Sequence, residues 1–265
     1  MDSVVVNGLR IAYLRVGSGG APVVLLGGFV GGGEATWRHQ IDALATSHMV
    51  VTWDAPGSGE SSDPPESFRL PDYADCLAGL MSELNLGPSV VVGLSFGGAL
   101  AIEFFRRHRA QVRGLFLAGA YAGWAGSLPV DTVRTRLQSS LDASRLSPSE
   151  FAKAMLPSMF SAVAPTERVD DLAASVAANF HPSGFRAMAR AAAEADLRDV
   201  LPTIDVPTLI LHGDRDARAP REVADGLAAA IPRSRQVVLA GVGHASCLEA
   251  PEQFTAELQA FLSDQ

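Results

Sequence analysis

The sequence lacks most of the features that would place it in a specialised class of protein. Its two cysteines, Cys76 and Cys247, lie far apart and outside the spacings typical of disulfide frameworks or zinc sites. No apolar run is long enough to predict a membrane span, and the first residues, MDSVVVNGLR, lack the basic start and apolar stretch of a signal peptide. We therefore expect a cytoplasmic protein that has neither a metal site nor a membrane partner.

Positive charge is also scarce. A single lysine, Lys153, and twenty arginines stand against 29 acidic residues, so the net charge of the 265-residue chain is −8. A surface of this sign repels phosphate backbones, and we expect no nucleic-acid partner. Hydrophobic residues make up 48% of the chain and charged residues 19%, proportions that are typical of a folded globular protein.

Short apolar runs alternate with helical patterns along most of the chain. The first part predicts the strands SVVV, LRIAYLRV, APVVLLGGF, HMVVTWD, PSVVVGL and VRGLFLAGA, with helices over 34–46, 72–86 and 97–108. The last part predicts the strands VPTLILHGD and RQVVLAG, each followed by a helix. Strands that alternate with helices in this way favour an α/β fold, in which helices flank a mostly parallel sheet, here of eight strands.

The alternation stops between the sixth and the seventh strand. Residues 121–200 contain only Ala-rich amphipathic stretches that are interrupted by prolines, and no strand pattern. We interpret this segment as a helical lid inserted after strand six. Residues 1–120 and 201–265 then form one core domain.

Ser95 is the candidate nucleophile. It is the centre of Gly93-Leu94-Ser95-Phe96-Gly97, which matches the G-x-S-x-G pattern of a tight turn from a buried strand into a helix. Such a turn holds the serine in a strained backbone above the sheet, at a helix N-terminus that favours developing negative charge. The alternative is that Ser95 only caps the helix.

A serine nucleophile needs a base and an acid that orients the base. Of the six histidines, His244 follows the last strand, at the end of the sheet where loops after parallel strands assemble sites. His212 ends the preceding strand, where a packing role fits better. The loop after that strand offers two acids, and we prefer Asp216 to Asp214, which we interpret as a turn-capping residue.

The chain resembles the α/β-hydrolase-fold serine hydrolases over nearly its full length. Five segments match the family in the correct order: VVLLGGF, DAPGSGES, GLSFGG, HGDRDARAP and GHASCLEAPEQF. The order of Ser95, Asp216 and His244 is also the order of the triad in this family. Within it, the elbow and the C-terminal segments resemble the 3-oxoadipate enol-lactonase-like and carboxylesterase branch.

The resemblance implies a mechanism and its remaining parts. The backbone N–H groups of Phe29 and Phe96 are implied as the oxyanion hole, although Gly27-Gly28 stands where relatives usually have His-Gly. Asp54, in DAPGSGES, matches a position that we interpret as stabilising a turn. The implied reaction is acyl transfer from an apolar ester or lactone, with no cofactor.

The lid is expected to set the substrate. Apolar candidates for the pocket wall are Trp124, Met159, Phe160 and Phe185. Arg134, Arg136 and Arg186 are candidates to pair with a substrate carboxylate, or are simply solvated.

Two alternative functions remain open. A C–C bond hydrolase of the meta-cleavage type usually carries Asn before the nucleophile and Trp after the histidine, where this chain has Leu94 and Ala245. A receptor that binds a small molecule on the same fold without turnover retains an intact triad. A dinucleotide site is rejected, because no G-x-G-x-x-G follows a strand.

Overall fold

A computed structural model describes residues 1–265 and has one eight-stranded sheet at its centre. The strands are β1 (Asp2–Val6), β2 (Leu9–Val16), β3 (Val23–Leu26), β4 (Val50–Trp53), β5 (Ser89–Leu94), β6 (Val112–Ala118), β7 (Thr208–Gly213) and β8 (Ser234–Leu239). Their spatial order is β1-β2-β4-β3-β5-β6-β7-β8, and every pair from β4 to β8 is parallel. At one edge, β1 pairs antiparallel with β2, and β2 pairs antiparallel with β4. The predicted fold class is confirmed.

Helices cover both faces of this sheet. They are α1 (Gly33–Leu44), α2 (Leu70–Glu83), α3 (Phe96–His108), α4 (Val130–Ala143), α5 (Pro148–Met155), α6 (Thr166–Ala178), α7 (Pro182–Glu194), α8 (Arg221–Ala230), α9 (Ser246–Glu249) and α10 (Pro251–Ser263). On β3, Val24 and Leu26 pack in the cluster that holds α2, α3 and α8, whereas Val23 and Leu25 pack with α1 and α10. Because successive side chains of a strand point to opposite faces, strands covered on both sides become continuous apolar runs. No helix has both the length and the hydrophobicity needed to cross a lipid bilayer.

Helices α4 to α7 lie between β6 and β7, and residues 121–200 contain no strand. Part of this segment forms its own apolar cluster, which also includes Val30 and Ala245 from loops at the carboxyl ends of strands. Met188 and the alanines of α7 instead join the core of the sheet. The helical segment is thus packed against the end of the sheet where the candidate residues lie. Its boundaries as a separate lid stay a prediction.

Helix α2 differs at both ends from the predicted range of 72–86. It begins at Leu70, where Pro71 suits the first turn and the Asp72 carboxylate accepts the backbone N–H of Arg69 at 2.8 Å. It ends at Glu83, because Asn85 adopts a φ of +52°, a left-handed conformation that stops a right-handed helix.

Candidate active site

Ser95 occupies a sharp turn between β5 and α3. Its φ of +56° and ψ of −112° lie outside the regions that L-residues favour, and the other two non-glycine residues with positive φ are asparagines. The turn is so tight that neither flanking position has room for a side chain. A Cβ on Gly97 would lie 2.2 Å from the carbonyl oxygen of Leu26, and one on Gly93 would lie 2.3 Å from the carbonyl oxygen of Gly97. The G-x-S-x-G spacing therefore has a steric cause.

The Ser95 side chain does not cap α3. It makes no capping hydrogen bond, although its backbone carbonyl accepts the N–H groups of Gly98 at 2.9 Å and Ala99 at 3.2 Å. Its own N–H donates to the carbonyl of Ala118 at 2.8 Å, which ties the turn to the end of β6. The residue is 8% exposed. The interpretation of Ser95 as a helix cap is therefore wrong.

His244 and Asp216 form a buried hydrogen bond. Nδ1 of His244 donates to Oδ2 of Asp216 at 2.7 Å, and both side chains are 1% exposed. The other carboxylate oxygen of Asp216 accepts the backbone N–H groups of Arg218 and Ala219, each at 2.8 Å. Burial acts to raise the pKa of Asp216, but His244 and the three hydrogen bonds bring it below its usual value.

Ser95 and His244 lie on either side of the carboxyl end of β6. Ser95 is bonded to Ala118, and a Cβ on the next residue, Gly119, would lie 3.0 Å from Nδ1 of His244. Nε2 of His244 is buried and has no hydrogen-bond partner, so the serine and the histidine are not hydrogen-bonded to each other. Such contacts are often loose before a substrate binds.

Asp214 and His212, the alternative acid and base, do not contact each other or the pair of His244 and Asp216 through hydrogen bonds. Asp214 accepts the backbone N–H of Gly241 at 2.6 Å and contacts no histidine. His212 is buried on β7 with its Nδ1 unpartnered, and burial lowers the pKa of its ring. Neither side chain is held against a second catalytic group.

Two backbone N–H groups beside Ser95 are free to bind an anion. Phe96 begins α3, so its N–H has no acceptor in the preceding turn. The N–H of Phe29 donates to no protein group. Its neighbour Gly28 lies against Ser95, because a Cβ on Gly28 would be 3.7 Å from Cβ of Ser95.

Asp54 holds the glycine-rich loop that carries Phe29. Its carboxylate, which is almost fully buried, accepts the backbone N–H groups of Gly33 at 2.7 Å and Glu60 at 2.9 Å. Burial raises the pKa of Asp54, and these two hydrogen bonds oppose the rise. The residue therefore does more than stabilise its own turn, because it also fixes the end of the loop that lacks the usual histidine.

The four predicted wall residues are all buried near the candidate site. The Phe29 ring packs against the rings of Phe96 at 5.1 Å, Trp124 at 5.6 Å and Phe185 at 5.9 Å between centroids. The backbone carbonyl of Met159 accepts the N–H of Ala245 at 2.7 Å, and Phe160 is the next residue in the chain. Aromatic rings thus pack around Phe29, and Met159 contacts the histidine loop, on the side of the helical segment between β6 and β7.

Sequence reasoning missed Glu249, which links the histidine loop to the helical segment between β6 and β7. Its Oε2 accepts the backbone N–H groups of Gly243 at 2.9 Å and Ser161 at 3.0 Å, and its Oε1 accepts the Ser161 hydroxyl. The segment GHASCLEAPEQF contains this glutamate, but nothing in the sequence indicates a partner 88 residues away. No group of three or more His, Cys, Asp or Glu side chains lies close enough together to hold a metal ion.

Comparison with known proteins gives consistent matches over most of the chain. A family described as alpha/beta hydrolase fold matches residues 21–251. The pimeloyl-acyl-carrier-protein methyl ester esterase of Neisseria meningitidis is 28% identical over 85% of this chain and 89% of its own length. A thermophilic esterase from Thermogutta terrifontis has a TM-score of 0.89 at 29% identity, over 99% of this chain and 96% of that one. The enol-lactonase from Burkholderia xenovorans LB400 has a TM-score of 0.84 at 27% identity, over 99% and 100% of the two chains.

Proposed function

The chain belongs to the α/β-hydrolase family, and on that premise we propose that it cleaves a carboxylic ester or lactone through an acyl-enzyme on Ser95. It is a hydrolase that acts on ester bonds, as the esterases and the lactonase among its relatives indicate. The proposal adds the covalent route and its catalytic triad of Ser95, Asp216 and His244.

The observation that carries this proposal is the backbone conformation of Ser95. A strained φ of +56° costs roughly 1–3 kcal/mol and persists where the surrounding structure enforces it, often at functional sites. Here the strain has no capping role to explain it, because the hydroxyl makes no bond to the helix that it precedes. A hydroxyl held free at a helix N-terminus, next to a buried histidine, is suited to nucleophilic attack.

His244 is the general base of the proposed reaction. Asp216 fixes the proton on Nδ1, so Nε2 carries the lone pair that takes the proton of Ser95 as its oxygen attacks the carbonyl carbon. The imidazolium then protonates the leaving alcohol, and water attacks the acyl-enzyme with the same base. General-base assistance of this kind contributes about 10²- to 10⁴-fold.

The N–H groups of Phe29 and Phe96 are proposed to bind the oxyanion of the tetrahedral intermediate. Each such donor contributes about 10²- to 10³-fold when it is held in place before the reaction. Asp54 provides that positioning for the loop of Phe29, through its bond to Gly33. Because both donors belong to the main chain, Gly27 in place of the usual histidine does not remove them.

The proposed substrate is an apolar ester or lactone of medium size. Phe29, Trp124 and Phe185 pack edge to face around the turn, and Met159 and Phe160 are more than nine-tenths buried beside the histidine loop. Walls of this kind bury the apolar groups of a ligand and offer it few polar contacts. The Neisseria and Burkholderia relatives act on a methyl ester and an enol lactone by name, which supports this range of substrates.

Turnover of 4-nitrophenyl butyrate by the wild type and by Ser95→Ala tests the proposal. We expect the substitution to lower kcat at least about a thousand-fold, as loss of a serine nucleophile does elsewhere. Ser89→Ala is the matched control, because Ser89 is also buried, lies at the other end of β5, and its hydroxyl donates only to the nearby carbonyl of Gly87. Its turnover should stay within about twofold of the wild type.

A panel of substrates separates the alternatives. An ester, a lactone and a vinylogous diketone are supplied side by side at equal concentration. Cleavage of only the diketone would favour a C–C bond hydrolase. Tight binding without any Ser95-dependent cleavage would favour a receptor, and either result would contradict the proposal.

A further inference from the structure

One of the three candidate arginines between β6 and β7 is bound differently from the other two. Arg134 pairs with Asp131 at 3.2 Å and is largely exposed, and Arg186 pairs with Glu66 at 3.8 Å. Arg136, two residues after Arg134 on α4, forms no ion pair and is partly buried. A guanidinium that is partly withdrawn from water needs other acceptors for its N–H groups.

The acceptors of Arg136 lie beside the proposed triad acid. Its Nη2 donates to the backbone carbonyl of Arg218 at 2.7 Å, and its Nη1 donates to the hydroxyl of Tyr121 at 3.1 Å. The Tyr121 hydroxyl donates to the same carbonyl, and the guanidinium lies 5.9 Å from the centroid of the Tyr121 ring. One carbonyl oxygen is thus held by two donors, of which one is charged, and these donors are bonded to each other.

This carbonyl belongs to the peptide group that binds Asp216. The C=O of Arg218 and the N–H of Ala219 are the two ends of one planar, trans peptide group. The Ala219 N–H donates at 2.8 Å to Oδ1 of Asp216, whose other oxygen accepts Nδ1 of His244 at 2.7 Å. Because the peptide group is rigid, a bond that holds its oxygen also fixes the direction of its N–H. A single peptide group therefore separates the Arg136 guanidinium from the triad carboxylate.

The charge of Arg136 also strengthens the bond at the far end of this peptide group. A hydrogen bond to the oxygen polarises the amide, and a polarised amide is a stronger donor through its N–H. A charged donor such as a guanidinium has a larger effect of this kind than a neutral one. Arg136 thus acts on the Ala219 N–H by orientation and by polarisation.

A second contact ties the same turn to the segment between β6 and β7. The side chain of Arg218 donates to the Ser158 hydroxyl at 2.7 Å, and its backbone N–H donates to Oδ1 of Asp216 at 2.8 Å. The turn that presents Asp216 to the histidine is therefore held from α4 and from the end of α5. The conformation of the triad acid depends on where these helices lie.

We propose that Arg136 is a positioning residue of the catalytic triad, and that it acts on Asp216 through the Arg218–Ala219 peptide group. The proposal rests on the proposed function of Ser95, because it assigns Arg136 a role in that reaction. Arg136 touches neither the substrate nor His244. The segment between β6 and β7 then contributes to catalysis as well as to the pocket wall.

The kinetics of Arg136→Met on 4-nitrophenyl butyrate test this role. We expect kcat to fall roughly five- to fifty-fold, less than in Asp216→Asn, because Tyr121 still donates to the same carbonyl. Both acylation and deacylation use the histidine, so KM should stay within about twofold of the wild type. A higher KM with an unchanged kcat would assign Arg136 to substrate binding and overturn the proposal.

Conservative variants separate positioning from a general loss of structure. Arg136→Lys keeps the charge and a donor for the carbonyl, and its kcat should exceed that of Arg136→Met by about threefold or more. Tyr121→Phe removes only the other donor and should also lower kcat at an unchanged KM. Arg134→Met is the matched control, because it removes the same charge two residues away at an exposed ion pair, and its kcat should equal that of the wild type. Equal losses of kcat in Arg134→Met and Arg136→Met would overturn the proposal.

A double-mutant cycle tests whether the effect passes through Asp216. In the background of Asp216→Ala, which removes the acceptor of the Ala219 N–H, Arg136→Met should change the residual kcat less than about twofold. A full additional loss in this background would show that Arg136 acts by another route.

The amide of Ala219 provides a readout that does not depend on turnover. In Ser95→Ala, the further substitution Arg136→Met should shift the Ala219 amide proton upfield and speed its exchange with solvent, because its bond to the carboxylate is weakened. Arg134→Met should change neither value. An unchanged Ala219 amide, or an unchanged kcat in Arg136→Met, would overturn the proposal even where Ser95-dependent turnover by the wild type supports the proposed function.

Discussion

Two aspartates in the loop after β7 are only two residues apart and have different environments. Asp216 accepts hydrogen bonds from His244 and from the N–H groups of Arg218 and Ala219, and its side chain is buried. Asp214 is exposed and accepts the N–H of Gly241. Only the first can orient the histidine, so substitutions at the two positions should separate the proposed triad acid from a turn residue.

Asp216→Asn should lower kcat roughly 10²- to 10⁴-fold, because an amide in place of the carboxylate no longer fixes the proton on Nδ1 of His244. Asp214→Asn keeps an oxygen that can accept from Gly241, and its kcat should stay within about threefold of the wild type. Steady-state kinetics on 4-nitrophenyl butyrate check both values. The reverse pattern would make Asp214 the acid.

The contribution of the Asp216 carboxylate to stability should depend on pH. The pKa of Asp216 in the folded protein lies below its usual value, so its ionised form contributes stability above about pH 4 and loses it as the pH falls through the native pKa. The free energy of unfolding of the wild type minus that of Asp216→Asn should therefore be larger at pH 7 than at pH 3. Urea unfolding at the two pH values measures it, and a difference that grows toward acid would contradict the assignment.

At the scale of elements, Glu249 joins the end of α9 to the helical segment between β6 and β7. Its carboxylate accepts N–H groups from Gly243, beside the candidate base, and from Ser161, which follows α5. Ala245 adds a backbone bond to Met159 at 2.7 Å. A movement of residues 159–161 would therefore displace the loop that carries His244.

Glu249→Gln should disturb that connection. An amide offers one acceptor oxygen and replaces charge-assisted bonds, so we expect a loss of roughly 1–3 kcal/mol in the free energy of unfolding and faster amide exchange over 159–163. Glu222→Gln, an exposed position on α8, is the control and should change neither value. Unchanged exchange in Glu249→Gln would show that residues 159–163 are held by their apolar contacts alone.

The elements themselves follow closely from local patterns, whereas the links between them do not. Buried strands such as β5 are apolar runs, and the absence of strands in 121–200 was predicted correctly from proline and alanine spacing. The end of α2 was placed too late, because nothing in the apolar pattern marks Asn85 as left-handed. The hydrogen bonds from Ser161 to Glu249 and from Gly33 to Asp54 join residues that are 88 and 21 positions apart. The periodicity of a single sequence carries no information on such contacts.

At the scale of the whole molecule, the sheet is common to relatives with different activities. An esterase and an enol-lactonase share this fold at 29% and 27% identity, so the fold alone does not decide the substrate. The helical segment between β6 and β7 contributes Trp124 and Phe185, whose rings pack against Phe29 beside Ser95. We propose that this segment, about 80 residues long, determines which ester is accepted.

The candidate site could be predicted from the sequence only where a local turn or the chain order defines it. Ser95 follows from its glycine spacing, and the loops of Asp216 and His244 follow from the ends of parallel strands. A separate cavity, which Arg136 and Arg218 line between α4, α5 and the loop after β7, could not be predicted, because it depends on how α4 packs against that loop. The unpaired state of Arg136 is likewise a property of the folded chain.

The most direct test of the central claim is to trap the acyl-enzyme. The protein is mixed with excess 4-nitrophenyl butyrate, quenched in acid within milliseconds to seconds, digested, and examined by mass spectrometry for a butyryl group on the peptide that contains Ser95. We expect the butyryl group on Ser95 in the wild type and expect none on the corresponding peptide of Ser95→Ala. The acyl-enzyme on Ser95 would be contradicted by a butyryl group on another residue during steady turnover, or by undiminished turnover in Ser95→Ala.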